Sequence, residues 1–293
     1  MTALARACPA DHLHVVDLPY RFSSWAFDYP DNIALWVNPE GQLLAWAVMQ
    51  TPFWTIDYAC RPDAGKNLHR QILDWADRRA RGIRGTSSGR PMWFVNVLAS
   101  QAERIHDLEE AGFASQANVD DDSWSKVQMR RSSQTPVAGY SLPAGFTIRP
   151  LAGHIASHIQ AYVELHRAVF ENRNMTIEWR TRTLSQPEYI ADLDLVAVAQ
   201  DGRLAAFCMG WLDRNMEQAS GQIEPLGVRA DCRHLGLGRA ILLEALSRLQ
   251  FHGASQTYAE TDRQRNAALE LYESVGFQII RDVLVYRKDY EGT

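Results

Sequence analysis

The strongest constraint on the fold is an internal repeat of one order of elements. In the second half, periodicity predicts strands over 146–149, 192–200, 204–211, 222–228 and 256–260. It predicts helices over 155–169, 236–249 and 266–275, and closing strands over 277–280 and 283–286. The first half runs through the same later order. Its strands are 32–37, 43–49 and 53–60, followed by a helix over 68–81, a strand over 93–98, a helix over 101–111 and a closing strand over 124–129. The helix spacing is plain at Leu242, Leu246 and Leu249, and Asp201-Gly202 is a hairpin turn. Gly276, suited to a left-handed helix end, recurs with its phenylalanine as Gly112-Phe113. Gln71-Ile72-Leu73-Asp74 likewise falls on Ile241-Leu242-Leu243-Glu244 without a gap. The pattern is read as a tandem duplication of one α/β unit, 1–132 and 144–293, joined by the Ser-, Pro- and Gly-rich linker 133–143.

Composition removes several function classes. No apolar run approaches the roughly 18 residues of a membrane span, so no membrane partner is expected. Lys+Arg 30 against Asp+Glu 35 leaves a net charge of −5, which lacks the basic footprint of a nucleic-acid binder. Cys8, Cys60, Cys208 and Cys232 are far apart with no C-x-x-C pair, so neither a zinc site nor a disulfide framework is indicated. The first residues carry no apolar leader, and the default compartment is the cytoplasm. Six of the nine tryptophans lie in the first 100 residues, where they are expected to fill a core.

Chemistry concentrates in the second half. Arg233-His234-Leu235-Gly236-Leu237-Gly238-Arg239 lies between a predicted strand and a predicted helix. A turn without side chains at Gly236 and Gly238 lets a ligand approach the backbone, and its amides with the helix N-terminus favour an anion such as a pyrophosphate. This Arg-x-x-Gly-x-Gly run after the strand Glu224-Pro225-Leu226-Gly227-Val228 resembles the acetyl-coenzyme A signature of the GNAT N-acetyltransferase superfamily. Asn266-Ala267-Ala268-Leu269-Glu270-Leu271-Tyr272, ending at Gly276-Phe277, is similar to that family's second signature. The resemblance covers about residues 145–290. It implies two tandem GNAT-like domains, each a mixed, mostly antiparallel twisted sheet flanked by helices.

The resemblance also implies roles. Leu226, Gly227 and Val228 would pair with the pantetheine arm, and a backbone N–H near Val228 would polarise the thioester carbonyl. Arg233, His234, Leu235, Gly236, Leu237, Gly238 and Arg239 would hold the pyrophosphate, and Asn266 the cofactor arm. Tyr272 would protonate the leaving thiolate while the amine of a small molecule attacks directly in a ternary complex. An alkylamine is mostly protonated at neutral pH and needs a base. Gln222 and Glu224 share one strand face, and relatives carrying Glu at position 222 are matched here by Gln, so Glu224 is the first candidate and Glu260 the second. Cys232 beside Arg233 is a minor candidate nucleophile. His154, His158 and His166 share a predicted helix without a metal pattern. The stretch 170–180 is expected to help shape the acceptor pocket. Two rival readings are a non-catalytic acyl-coenzyme A sensor and a dinucleotide-dependent oxidoreductase. Against the latter, Ile241 stands where that motif needs a third small residue.

The repeat shows what the first half lacks. Arg233, Gly236 and Gly238 fall on Asp63, Lys66 and Leu68, and Asn266 and Tyr272 fall on Ala102 and Leu108. Packing residues persist and ligand-binding residues do not. Equilibrium titration with acetyl-coenzyme A is therefore expected to find one site per chain, and two sites would refute this reading of the first half.

Overall fold

The fold is described from a computed structural model, which covers residues 1–65, 67–119, 123–151 and 153–290. Lys66 lies outside these. The first half comprises helices α1 (Thr2–Ala7) and α2 (Leu18–Phe22), then strands β1 (Ile33–Val37), β2 (Leu43–Gln50) and β3 (Thr55–Cys60). Helix α3 (Leu68–Gly82), β4 (Met92–Leu98), α4 (Ala102–Glu110), β5 (Ala114–Ser115) and β6 (Ser125–Ser132) complete it. The second half begins with β7 (Phe146–Pro150), α5 (Ala156–Phe170), α6 (Ile177–Leu184), β8 (Asp194–Ala199) and β9 (Leu204–Asp213). It continues with β10 (Ser220–Val228), α7 (Leu237–Phe251), β11 (Gln256–Asp262), α8 (Asn266–Ser274) and β12 (Gln278–Asp289).

Among the described residues, twelve strands form one mixed sheet in the order β1-β2-β3-β4-β12-β6-β11-β10-β9-β8-β7, with β5 on β12. The expected architecture of sheets flanked by helices is present, but the two sheets are fused by an exchange of strands. Strand β6, from the first half, lies between β11 and β12, and β12 in turn pairs with β4 of the first half. The two predicted closing strands at the carboxyl end are therefore one long strand with a register shift between Ile279 and Arg281. Its first part belongs to one sheet and its second part to the other. Packing follows the exchange. Val127 and Met129 of β6 sit in the second half's core with Leu242 and Leu246 of α7. Tyr286 of β12 sits in the first half's core with Leu73, Trp93 and Leu108.

Both faces of β8 and β9 are covered, by α7 on one side and by α5 and α6 on the other. That double cover explains why β9 is buried along its whole length. The charged residues at the strand margins are neutralised: Arg180 bonds to Asp194 and Arg6 to Asp213. The repeated helix ends are built alike. Gly276 and Gly112 take positive φ (93° and 84°), and the following Phe amides donate to Tyr272 and Leu108 carbonyls. Helix α6 was not expected from the sequence, because eight residues with three threonine or isoleucine positions carry little helical period. Helix α5 starts at Ala156, so His154 does not share it with His158 and His166. Of the early tryptophans, Trp46 and Trp93 are core residues.

Residues 133–293 expressed alone would lack β6 and leave the facing edges of β11 and β12 unpaired. The fragment is expected to be aggregated or unfolded by circular dichroism and gel filtration. A cooperatively folded monomer would show that the exchange is dispensable.

Candidate active site

Strands β10 and β11 are paired in parallel only from Ser220–Gln256 to Gln222–Tyr258. Beyond that point β10 continues along β9 to Val228, and β11 continues along β6 to Asp262. The two strands part, and a cavity of about 400 Å³ opens at the split. Backbone groups on the inner edge of β10 after Gln222 lose their neighbour there, an arrangement suited to an extended ligand laid along the strand. Leu226 and Val228 pack toward the α7 core. Gly227 is fixed by packing: a Cβ there would lie 2.5 Å from Val169 Cγ1 and 2.7 Å from Phe207 Cζ.

The turn predicted to take an anion follows directly. A single 3-10 turn at Ala230–Cys232 leads to Arg233 in extended conformation, His234 at φ 62° and Gly236 at φ 82°. Helix α7 then starts at buried Leu237 with no side-chain cap, so its first amides lack intrahelical acceptors. Arg233, His234, Leu235, Gly236 and Arg239 are exposed around this amide cluster. The glycines have different reasons. Gly236 supplies the left-handed backbone, whereas a Cβ at Gly238 would meet Val228 Cγ2 at 3.3 Å, so Gly238 sets how closely the helix approaches the strand. Asn266 is exposed at the start of α8. Tyr272 is buried two turns later, against Phe277, and reaches the cavity.

Two carboxylates of the cavity wall, Glu224 and Glu260, have opposite electrostatics. Burial, together with the charges of Asp17 and Glu260, pushes the Glu224 carboxyl up to about 7, against His14 and Arg21. Burial also works against ionised Glu260, but Lys126 Nζ donating at 2.5 Å, with His14 nearby, brings it down to about 2. At neutral pH Glu260 is a locked anion and Glu224 is poised to exchange a proton. Burial holds Tyr272 well above the usual phenol range, so it stays protonated and able to donate. Cys232 is buried, and burial with Asp231 raises its thiol, the reverse of what a nucleophile needs.

Much of this wall could not be read from the motifs. His14, Tyr20, Arg21, Phe53, Trp124 and Lys126 reach the cavity from the first half, and Phe170, Asn172, Asn174 and Trp179 from the expected acceptor stretch. The Thr176 hydroxyl caps α6 by accepting from the Trp179 amide at 3.0 Å, and the Trp179 indole donates to the Tyr20 carbonyl. Trp25 donates to the Asn174 carbonyl, which anchors this loop on the first half. The first half has a similar split, since β3 and β4 pair only at Thr55–Phe94. There Asp63 is tied to Arg61, Leu68 is packed against Ala45 and Ile72, and Leu108 is core.

Residues 159–277 match the acetyltransferase (GNAT) family model, so the second half carries a GNAT domain. The mycothiol acetyltransferase of Thermobispora bispora is 28% identical over 168 residues, 55% of this chain and 56% of that protein. The chain spans about half the length of the curated relatives it matches. Among solved structures, a GCN5-related N-acetyltransferase from Sphaerobacter thermophilus aligns with a TM-score of 0.66 at 21% identity, over 89% of this chain and 82% of that one. A tandem GNAT protein from the clavulanic acid biosynthesis pathway aligns with a TM-score of 0.66 at 13% identity, over 99% and 93%. At these identities the likeness is one of fold, and it runs through both halves.

The Gly227 contacts give a direct test of how tightly β10 is held. Gly227→Ala forces a methyl group into Val169 and Phe207 and is expected to cost about 1–3 kcal/mol by urea denaturation. An unchanged midpoint would show that the strand can shift.

Proposed function

We propose that this GNAT-domain chain is an N-acetyltransferase, in which residues 144–293 bind acetyl-coenzyme A and pass its acetyl group to the primary amine of a small molecule. The single observation that carries the reading is the opening of β10 from β11 beside an amide-lined turn, with a proton-poised carboxylate at the head of the split. The relatives named mycothiol acetyltransferase support the reaction class. The thioester supplies the activated acyl group, and the chain's residues do the rest. The edge of β10 at Leu226–Val228 orients the donor's arm, the turn 233–239 receives its phosphates, and Asn266 contacts the arm from α8. Glu224 takes the proton that an ammonium must lose before it attacks, and Tyr272 returns a proton to the departing sulfur. Residues 1–132 complete the acceptor's wall through Tyr20, Arg21 and Phe53. Among the described residues no helix is long and apolar enough to cross a membrane.

The base is testable by its pH dependence. A carboxylate acts as base only when ionised, so kcat/KM should rise with pH through a limb near 7, where Glu224 titrates. Glu224→Gln should lose that limb and lower kcat/KM by about 10²–10⁴-fold. Thiol release from acetyl-coenzyme A, followed across an amine panel, measures both. A limb that persists in the variant removes Glu224 from the role, and release that no amine stimulates removes the transferase reading.

A further inference from the structure

The amino-terminal segment between α1 and α2 crosses the sheet where the two halves meet. Its carbonyls are held by side chains from three directions. Arg281 of β12 donates to the Ala10 carbonyl at 3.0 Å, and Gln101 (3.1 Å) and Arg104 (3.0 Å), at the start of α4, to that of Asp11. Gln128 of β6 donates to the Leu13 carbonyl at 3.3 Å. The crossing separates two cavities. Gln222, Gln128 and Tyr258 line one, and Glu224, Lys126 and Glu260, two residues along each strand, line the other.

His14 emerges from this strap into the wall of the second cavity. Its Nδ1 lies 2.9 Å from Asp17 Oδ2 and its Nε2 3.7 Å from Glu260 Oε2. Both Nε2 and Oε2 are buried without a hydrogen-bond partner of their own. The charged and titratable groups around Glu224 come from every packed element. Asp17, Tyr20 and Arg21 come from the α2 region, Asp57 from β3, Lys126 from β6 and His166 from α5. Glu260 and Asp262 come from β11, and Arg265 and Tyr272 from the start and body of α8. The other nearby cations are already committed. Arg21 grips Asp57 at 2.6 and 3.0 Å, Lys126 grips Glu260 at 2.5 Å, and Arg265 grips Asp262 at 2.8 Å. The two carboxylates that oppose ionisation of Glu224 are Asp17 and Glu260. They are also the two that His14 touches.

We propose that His14 is a positioning residue for the acyl transfer: an imidazolium set between Asp17 and Glu260, it compensates both anions and so keeps Glu224 free to give up its proton and act as base. This rests on Glu224 being the base of the proposed reaction. The wedge is charged for a physical reason. Burial and Arg21 oppose the imidazolium, but Asp17 and Glu260 outweigh them and raise His14 above its ordinary range. The sign of each change follows. Removing the imidazolium leaves Asp17 without that partner and Glu260 with Lys126 alone, so both anions weigh more on Glu224 and make its ionisation harder. Removing the Glu260 charge makes it easier.

The test titrates Glu224 in the full-length chain by carboxyl 13C NMR of glutamate-labelled protein, the resonance being the one absent from Glu224→Gln. His14→Gln should move the Glu224 midpoint up by about one pH unit, and Glu260→Gln should move it down by a similar amount. A loss of packing alone would not produce shifts of opposite sign. An unmoved or lowered midpoint in His14→Gln overturns the inference. If that variant does not fold, Glu260→Gln decides, and an unmoved or raised midpoint there overturns it equally. The measurement needs no turnover. A chain that acetylates no amine would refute the proposed function alone, and an unmoved Glu224 in an active enzyme would refute this inference alone.

Discussion

Strand β10 keeps β11 as its neighbour for three residues, and the parting of the two backbones governs the rest of the molecule. A separated strand must find other partners for its polar groups or leave them to water and ligand. Here β10 is held on its far side by β9, and Gly227 is pressed against Val169 and Phe207. Strand β11 is held by β6. Each strand is therefore anchored by a neighbour that does not share the gap. The amide-rich turn and the start of α7 follow at the end of β10 because the strand ends there.

The exchange of β6 and β12 makes the second half's cavity a property of the whole chain. Strand β6 gives β11 its outer partner and brings Lys126 to Glu260. Without that strand, the gap would have one free wall and a buried anion stripped of its hydrogen-bonded cation. Deep charge pairs fasten the other seams, with Arg21 on Asp57 joining α2 to β3 and Arg180 on Asp194 joining α6 to β8. Such pairs are costly to break singly, because the surviving partner is left buried and uncompensated, at about 3–5 kcal/mol. They fix where the elements sit more than they add to stability.

The two halves use one frame with different fillings. Both have a strand split, a helix after it and a Gly-Phe helix end. In the second half the positions facing the split carry Glu224 and Tyr272. In the first half the residue at the place of Tyr272 is Leu108, fully within the core, and the strap is gripped by Gln101 and Arg104 at the head of α4. The same backbone divergence thus leaves a cavity in each copy, but the first copy's is lined by Asp63, Leu68 and Ala102 in place of Arg233, Gly238 and Asn266.

The local elements, the repeated order and the glycine turn at 233–239 were readable from the chain alone, because these depend on residues close together in it. Helical spacing in 237–251, the glycine ends at 112 and 276, and the run Arg233–Arg239 all act within a few turns. Glu224 and Tyr272 stood out as candidates for the same reason, each lying inside a contiguous motif, and both line the cavity. Tertiary structure alone decided which strands are neighbours, since strand pairing is blind to chain order once a linker is long enough. It placed β6 against β11 and brought His14, Arg21 and Lys126 from the first half to the cavity that Glu224 and Glu260 line. It also separated two similar carboxylates, because ionisation depends on burial and on charges in space. Lys126 holds Glu260 as an anion, while at Glu224 burial and the charges of Asp17 and Glu260 outweigh His14 and Arg21.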